Sequence, residues 1–223
     1  MRYKMFSLAF LASCLLLAAD TGKRLTVSSE VFQEIMQSAD RAIPQTLLDK
    51  AECIVIVPGM MKGAFVFGGK YGRGFVTCRR AAAGWGPPAA IRIEGGTFGL
   101  QIGGAETDVV MLVMNERGVK RLSQSKFTLG ADASVAAGPV GRQATAETDA
   151  LMTAEILTWS RSRGAFAGIS LQGATLRPDH KANTEMYKQS WGIKEIVSSG
   201  LEPTEPGREL VKLLNKYSAR KAG

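Results

Sequence analysis

The pattern of apolar and polar positions divides the chain into helical ends and a strand-rich middle. From Thr26 to Leu48, apolar residues recur at Val31, Ile35, Ala39, Ile43 and Leu47, a spacing of four that lines one helix face. Ser28 or Ser29 is placed to cap that helix, and Pro44, lacking an N–H donor, must break or restart it. The pattern predicts one helix over 28–42 and a short one over 44–50. At Cys53 it changes to a continuous β-branched run, CIVIVP, which predicts a buried strand ended by Pro58 and Gly59. GAFVFGG and YGRGFVTCRR predict two further strands, and AAAGWGPPAAIRIEGG holds a turn with Pro87 and Pro88 confined to a loop or sheet edge. Strands continue through TFGLQIGG and TDVVMLVMN, Asn115 to Gly118 reads as a turn, and VKRLSQS as a short helix. Leu129 to Gln143 carries small side chains, as a strand and turn lying close to another backbone would. TAEILTWSRSRG is assigned to a strand. Helices are predicted near 180–190 and 205–218, the second from Leu210, Leu213, Leu214 and Tyr217.

Three Gly-x-Phe clusters punctuate the middle: Gly63-Ala64-Phe65, Gly96-Thr97-Phe98 and Gly164-Ala165-Phe166. Thirteen glycines fall between Gly59 and Gly104, which excludes an ordinary helix or a plain flat strand there. Glycine within a strand marks a bulge, a bend, or a close approach by another backbone or a ligand. The expected fold is therefore α+β: a Gly-rich, strongly bent antiparallel β-sheet, barrel-like, with packed N- and C-terminal helices.

Composition narrows the class. The 223 residues are 45% hydrophobic and 22% charged, in keeping with one globular core, and the net charge is +8. Part of that charge belongs to the start, where Arg2 and Lys4 precede an uncharged apolar run from Met5 to Ala19. This is the pattern of a secretory signal peptide over 1–19, short for a spanning helix, with a single domain over 26–218. Leu11-Ala12-Ser13-Cys14 resembles a lipobox, so lipidation at Cys14 competes with plain cleavage after Ala18 or Ala19 and with a retained anchor. Cys53 and Cys78 form an even pair that is either bridged or simply buried on neighbouring strands, and a bridge needs Cα atoms within about 7 Å. His180 is the single histidine, leaving almost no material for a His-based metal site or triad.

Taken in order, several segments carry a family resemblance. They are Lys62-Gly63-Ala64-Phe65-Val66 with Gly68-Gly69, Gly72 and Gly74, then Gly84-Trp85-Gly86-Pro87-Pro88 and Gly99-Leu100-Gln101-Ile102-Gly103-Gly104. The most diagnostic run from Gly130 to Arg142 and from Ser160 to Gly168. Over roughly residues 30–190 the chain resembles the SYLF domain family. That resemblance implies phospholipid binding, and in fungal members binding of filamentous actin. The export pattern sets this chain apart, so actin and phosphoinositides are not carried over. Contact with an anionic phospholipid membrane surface is, and an envelope protein partner is the alternative.

The candidate lipid-contact residues are the cations beside the glycine clusters: Lys62, Lys70, Arg73, Arg79, Arg80, Arg142, Arg161 and Arg163. Cations beside free backbone N–H groups suit a lipid phosphate. The 69–74 segment (GKYGRG) lacks the GK[ST] ending and the strand–loop–helix setting of a nucleotide-binding loop. Glu94, Glu106 and Asp108 are not positioned as a facing acid pair, and Ser134, Ser160 and Ser162 lack a base partner. No enzymatic activity and no cofactor are expected. Nucleic acid is not an expected partner either, because export removes it.

Overall fold

In the computed structural model the described residues are 3–38, 42–64, 67–80, 84–98, 103–139, 154–162, 165–166 and 171–218. Helices α1 (Tyr3–Gln37) and α2 (Gln45–Lys50) come first. Strands β1 (Cys53–Ala64), β2 (Phe67–Cys78), β3 (Ala89–Phe98) and β4 (Gly103–Val113) follow, then α3 (Glu116–Leu122). Next are β5 (Phe127–Thr128), β6 (Val135–Ala137), β7 (Ile156–Ser162), β8 (Ala165–Phe166) and β9 (Thr175–Pro178). Three helices close the described chain: α4 (His180–Tyr187), α5 (Ile193–Val197) and α6 (Glu205–Tyr217).

The strands form one sheet in the order β5-β9-β3-β2-β1-β4-β7-β6, with β8 beside β7. Every strand pairing is antiparallel except β6 with β7. The sheet curls into a half-barrel, so the expected α+β class with a strongly bent sheet is borne out. Strand alternation feeds two cores, one on each face. Ile54, Ile56, Phe75, Val110 and Leu112 pack with Leu25, Phe32, Ile35, Leu47 and Leu210 beneath α1, α2 and α6. Val55, Val57, Val76, Ile91, Ile93, Val109 and Met111 face the other way, onto Leu122, Ile193 and Ile196 from α3 and α5.

Several expectations are corrected. Ser28 and Ser29 do not cap a helix, because α1 runs through them; their hydroxyls donate back to the carbonyls of Arg24 and Leu25 (2.8 and 3.1 Å). Pro58 and Gly59 do not end β1. They form a bulge that gives β1 one extra residue against both neighbours, with Gly59 at φ +55 and its N–H donating to Asp108 Oδ1 (2.9 Å). The break between β1 and β2 then falls within FVFGG, and β3 takes in the 89–96 segment that the prolines had obscured. Asn115 to Gly118 is no free turn: the Asn115 side chain caps α3 by accepting from Gly118 N (3.0 Å). Helix α5 was not expected at all.

The small-residue segment after Leu129 behaves as expected where it is described. Gly138 lies against the Trp159 indole, where a Cβ has no room, and Trp159 Nε1 donates to Pro139 O (3.2 Å). Cys53 and Cys78 sit directly opposite on β1 and β2 with Cα atoms 4.0 Å apart and are joined by a disulfide.

Candidate functional site

The glycine clusters converge. In register, Gly96 of β3, Gly69 of β2, Gly63 of β1 and Gly104 of β4 form one row across four adjacent strands. A Cβ added at Gly63 or Gly96 would meet nothing within 4 Å, and at Gly69 only a carbonyl oxygen at 3.9 Å. None of these three has a positive φ, so neither backbone strain nor crowding requires glycine there. This contrasts with Gly72 and Gly74, where a Cβ would strike Met60 Cγ (2.8 Å) and Val57 Cα (2.8 Å).

Two residues towards the base on the same face lies a second row: Thr175, Glu94, Tyr71, Met61 and Glu106. Met61 and Tyr71 are a direct cross-strand pair, 58% and 42% exposed, and are the exposed large hydrophobics of the described surface. Two residues further towards the base, Arg73, Arg92 and Arg177 stand opposite one another on β2, β3 and β9. On the reverse face, Lys62 and Lys70 are directly opposed across β1 and β2. Like charges so placed repel. Burial first, and then the charge of Lys62, push the Lys70 ammonium below the usual lysine range, its residue being only 6% exposed.

Among the described residues, Arg73, Arg79, Arg80 and Arg161 of the expected set each meet carboxylates or carbonyls of the protein. Arg73 ion-pairs with Asp179 (2.8 Å) and Asp20 (3.3 Å). Burial pulls its guanidinium down, but the Asp179 hydrogen bond and charge outweigh this and hold it above its ordinary value. The neighbouring Arg24 is pushed below its ordinary value by burial and by Arg73, against the pull of Asp20. Arg79 donates to the carbonyls of Ala51, Leu48 and Ser218 and stacks over the Trp85 ring at 4.2 Å, clasping α2 to the end of α6. Arg80 donates to Leu201 O and lies 3.8 Å from Glu202. Arg161 bridges Glu34 of α1 and Asp108 of β4 (2.9 Å to Asp108). Burial again opposes, and those two carboxylates raise its pKa overall. Arg142, Arg163 and the side chain of Cys14 lie outside the described residues. The structure therefore brings together Lys62 with Lys70, and Arg73 with Arg92 and Arg177. It does not gather the whole set on one face. Arg92 and Arg177 were missed because their alignment depends on the β3–β9 pairing of distant segments.

No group of three or more metal-ligating side chains occurs among the described residues. Two clefts adjoin near Gly130 and Ser134. One, of about 380 Å³, is lined by Val135, Ala136, Thr158 and Leu171; the other, of about 710 Å³, by Arg117, Arg121, Asp132 and Glu155. In the second, Arg121 and Glu155 face each other at 3.6 Å, and Glu155 also accepts from Ser134 N (3.2 Å).

Residues 94–217, more than half of the chain, match the Ysc84 family, described as Las17-binding protein actin regulator. The chain belongs to the Ysc84 family. This bears out the SYLF resemblance. LAS seventeen-binding protein 3 of Saccharomyces cerevisiae is 32% identical over 179 residues, 79% of this chain and 39% of the relative. An SH3 domain-containing protein of Schizosaccharomyces pombe is 32% identical over 87% of this chain and 45% of its own length. SH3 domain-containing YSC84-like protein 1 of Xenopus laevis is 30% identical over 81% of this chain and 54% of its own length. The chain thus spans about two fifths to one half of the Ysc84 relatives it matches. The family match takes in Glu94, Arg161 and Arg177 but begins beyond Lys62, Lys70 and Arg73.

Proposed function

We propose that this Ysc84 domain is a non-catalytic module that contacts anionic phospholipid at the cell envelope. The observation that carries the reading is the β1–β2 end of the sheet. There an exposed apolar pair, Met61 and Tyr71, backs directly onto an opposed cationic pair, Lys62 and Lys70. An anionic head group beside the two lysines offsets their mutual repulsion, and each cation near such a surface contributes about 1 kcal/mol. Methionine and tyrosine suit the boundary between head groups and acyl chains. The buried Cys53–Cys78 disulfide supports an exported, oxidising location, as does the basic and apolar start of the chain.

Co-sedimentation with vesicles tests this. The folded chain is expected to pellet with phosphatidylglycerol vesicles at low salt, less so as salt rises, and poorly with phosphatidylcholine alone. Lys62→Ala with Lys70→Ala is expected to cut pelleting about tenfold or more, at roughly the cost of two cations beside a head group. Undiminished pelleting by that variant removes the lysines from the site. The family description favours a second reading, a protein partner. Pelleting with filamentous actin but not with vesicles would establish that one instead. Mass spectrometry of the mature N-terminus tests the export reading: a terminus at Asp20 excludes a lipid on Cys14.

A further inference from the structure

The arginine row on the α1 side of the sheet is distinct from the lysine pair on the reverse face. Arg73, Arg92 and Arg177 stand opposite one another on three adjacent strands, which are spaced about 4.8 Å apart. Three like charges in direct cross-strand register oppose folding of that edge unless anions lie among them. Arg73 is satisfied within the protein by Asp179 and Asp20. Arg92 and Arg177 share a single carboxylate, Glu94, whose two oxygens lie 2.7 Å from Arg92 Nε and 3.8 Å from Arg177 Nε. Neither contact is a hydrogen bond, and among the described residues both Nε atoms are buried without a hydrogen-bond partner. Among the described residues no hydrogen bond reaches the Nη nitrogens of either arginine, and their side chains are 39% and 38% exposed.

We propose that Arg92 and Arg177 form a site for phosphate groups, and that Glu94 holds the place that the phosphate takes. Two planar guanidinium groups with unspent Nη donors match the several acceptor oxygens of a phosphate better than the two of a carboxylate. An ion pair as exposed as this one is weak, so Glu94 yields to a more highly charged anion at little cost. Arg73 is a flanking charge, held in place by α1 and the start of α4. The site does not depend on the lysine reading, because it faces the other way and needs no membrane.

The test measures binding of inorganic tripolyphosphate to the full chain by calorimetry and by its effect on the melting temperature. A parallel arm uses vesicles of phosphatidylglycerol in phosphatidylcholine. Wild type is expected to bind, Arg92→Ala with Arg177→Ala to weaken binding about tenfold or more, and Glu94→Gln to tighten it severalfold. That opposite pair of effects is the signature. Seen with tripolyphosphate, it identifies free polyphosphate as a ligand; seen with vesicles alone, it identifies a lipid head group. If the double arginine variant fails to fold, Glu94→Gln decides alone: no tightening with either probe overturns the proposal. Wild type that binds neither probe, or arginine variants that bind unchanged, overturn it as well.

Discussion

The same four strands are built in two different ways along their length. In the base, Ile54, Val55, Ile56, Phe75, Val76, Val110 and Met111 send side chains into cores on both faces, each residue no more than 1% exposed. Beyond the Pro58-Gly59 bulge the β-branched residues give way to glycines, lysines and an exposed Met–Tyr pair. Glycine occurs in both halves but for opposite reasons. At Gly74 another backbone presses on it, whereas at Gly63 and Gly96 nothing within the molecule does. One half is specified by what it packs against. The other half is left open on the α1 side and is where a partner is to be sought.

The contrast can be broken most severely at Gly74. Its Cβ would collide with the Ile56 carbonyl and Val57 Cα, so Gly74→Ala is expected to cost about 3 kcal/mol or more in urea unfolding. Removing the disulfide that pins the base of the β1–β2 hairpin, by Cys53→Ala with Cys78→Ala, is expected to cost about 3 kcal/mol, since it closes a loop of 25 residues. Asp108→Ala is expected to cost about 2 kcal/mol, because Gly59 N–H loses its acceptor and Arg161 loses one of its two carboxylates. Gly63→Ala and Gly96→Ala should change stability by less than about 1 kcal/mol, and any change should be stabilising. If either proves as costly as Gly74→Ala, the two halves are not built differently.

The smallest effect sharpens the picture of the open half through pH. The Lys70 pKa is lowered in the folded state, so the unfolded chain binds more protons in the window between that lowered value and the usual 10.5. Stability should therefore rise with pH through that window, a gain that Lys70→Met abolishes in chemical denaturation curves taken across it. Lys62→Ala should shrink the gain only in part, because burial is the larger cause. A Lys62→Ala variant that removes all of it would reverse that order.

Much of the base was legible from the chain alone. The CIVIVP run, the TDVVMLVMN strand and the helix over Leu210 to Tyr217 declare themselves by period, because cores on both faces demand apolar residues at short range. The misreadings share a cause. Ser28, Ser29, Pro58, Gly59 and Asn115 are residues with strong local meanings, and tertiary context reassigned each one. A long helix absorbed the serines, Asp108 from a strand 49 residues away held the bulge, and the supposed turn became the first turn of α3. For the site, the glycine clusters pointed to the right end of the sheet. They could not reveal the cross-strand rows, since Arg73 and Arg92 meet only in the β2–β3 register and Arg177 joins them from the distant strand β9.

The row of Gly96, Gly69, Gly63 and Gly104 also has a mechanical consequence. Cross-strand side-chain contacts are what resist changes in the twist and curvature of a sheet. A line of four residues without side chains has none of that resistance, so the sheet is stiff at its doubly packed base and compliant across the glycine line. It can flex there while its cores keep their packing. Such a graded stiffness lets the sheet change curvature along the glycine line without disturbing the packed base.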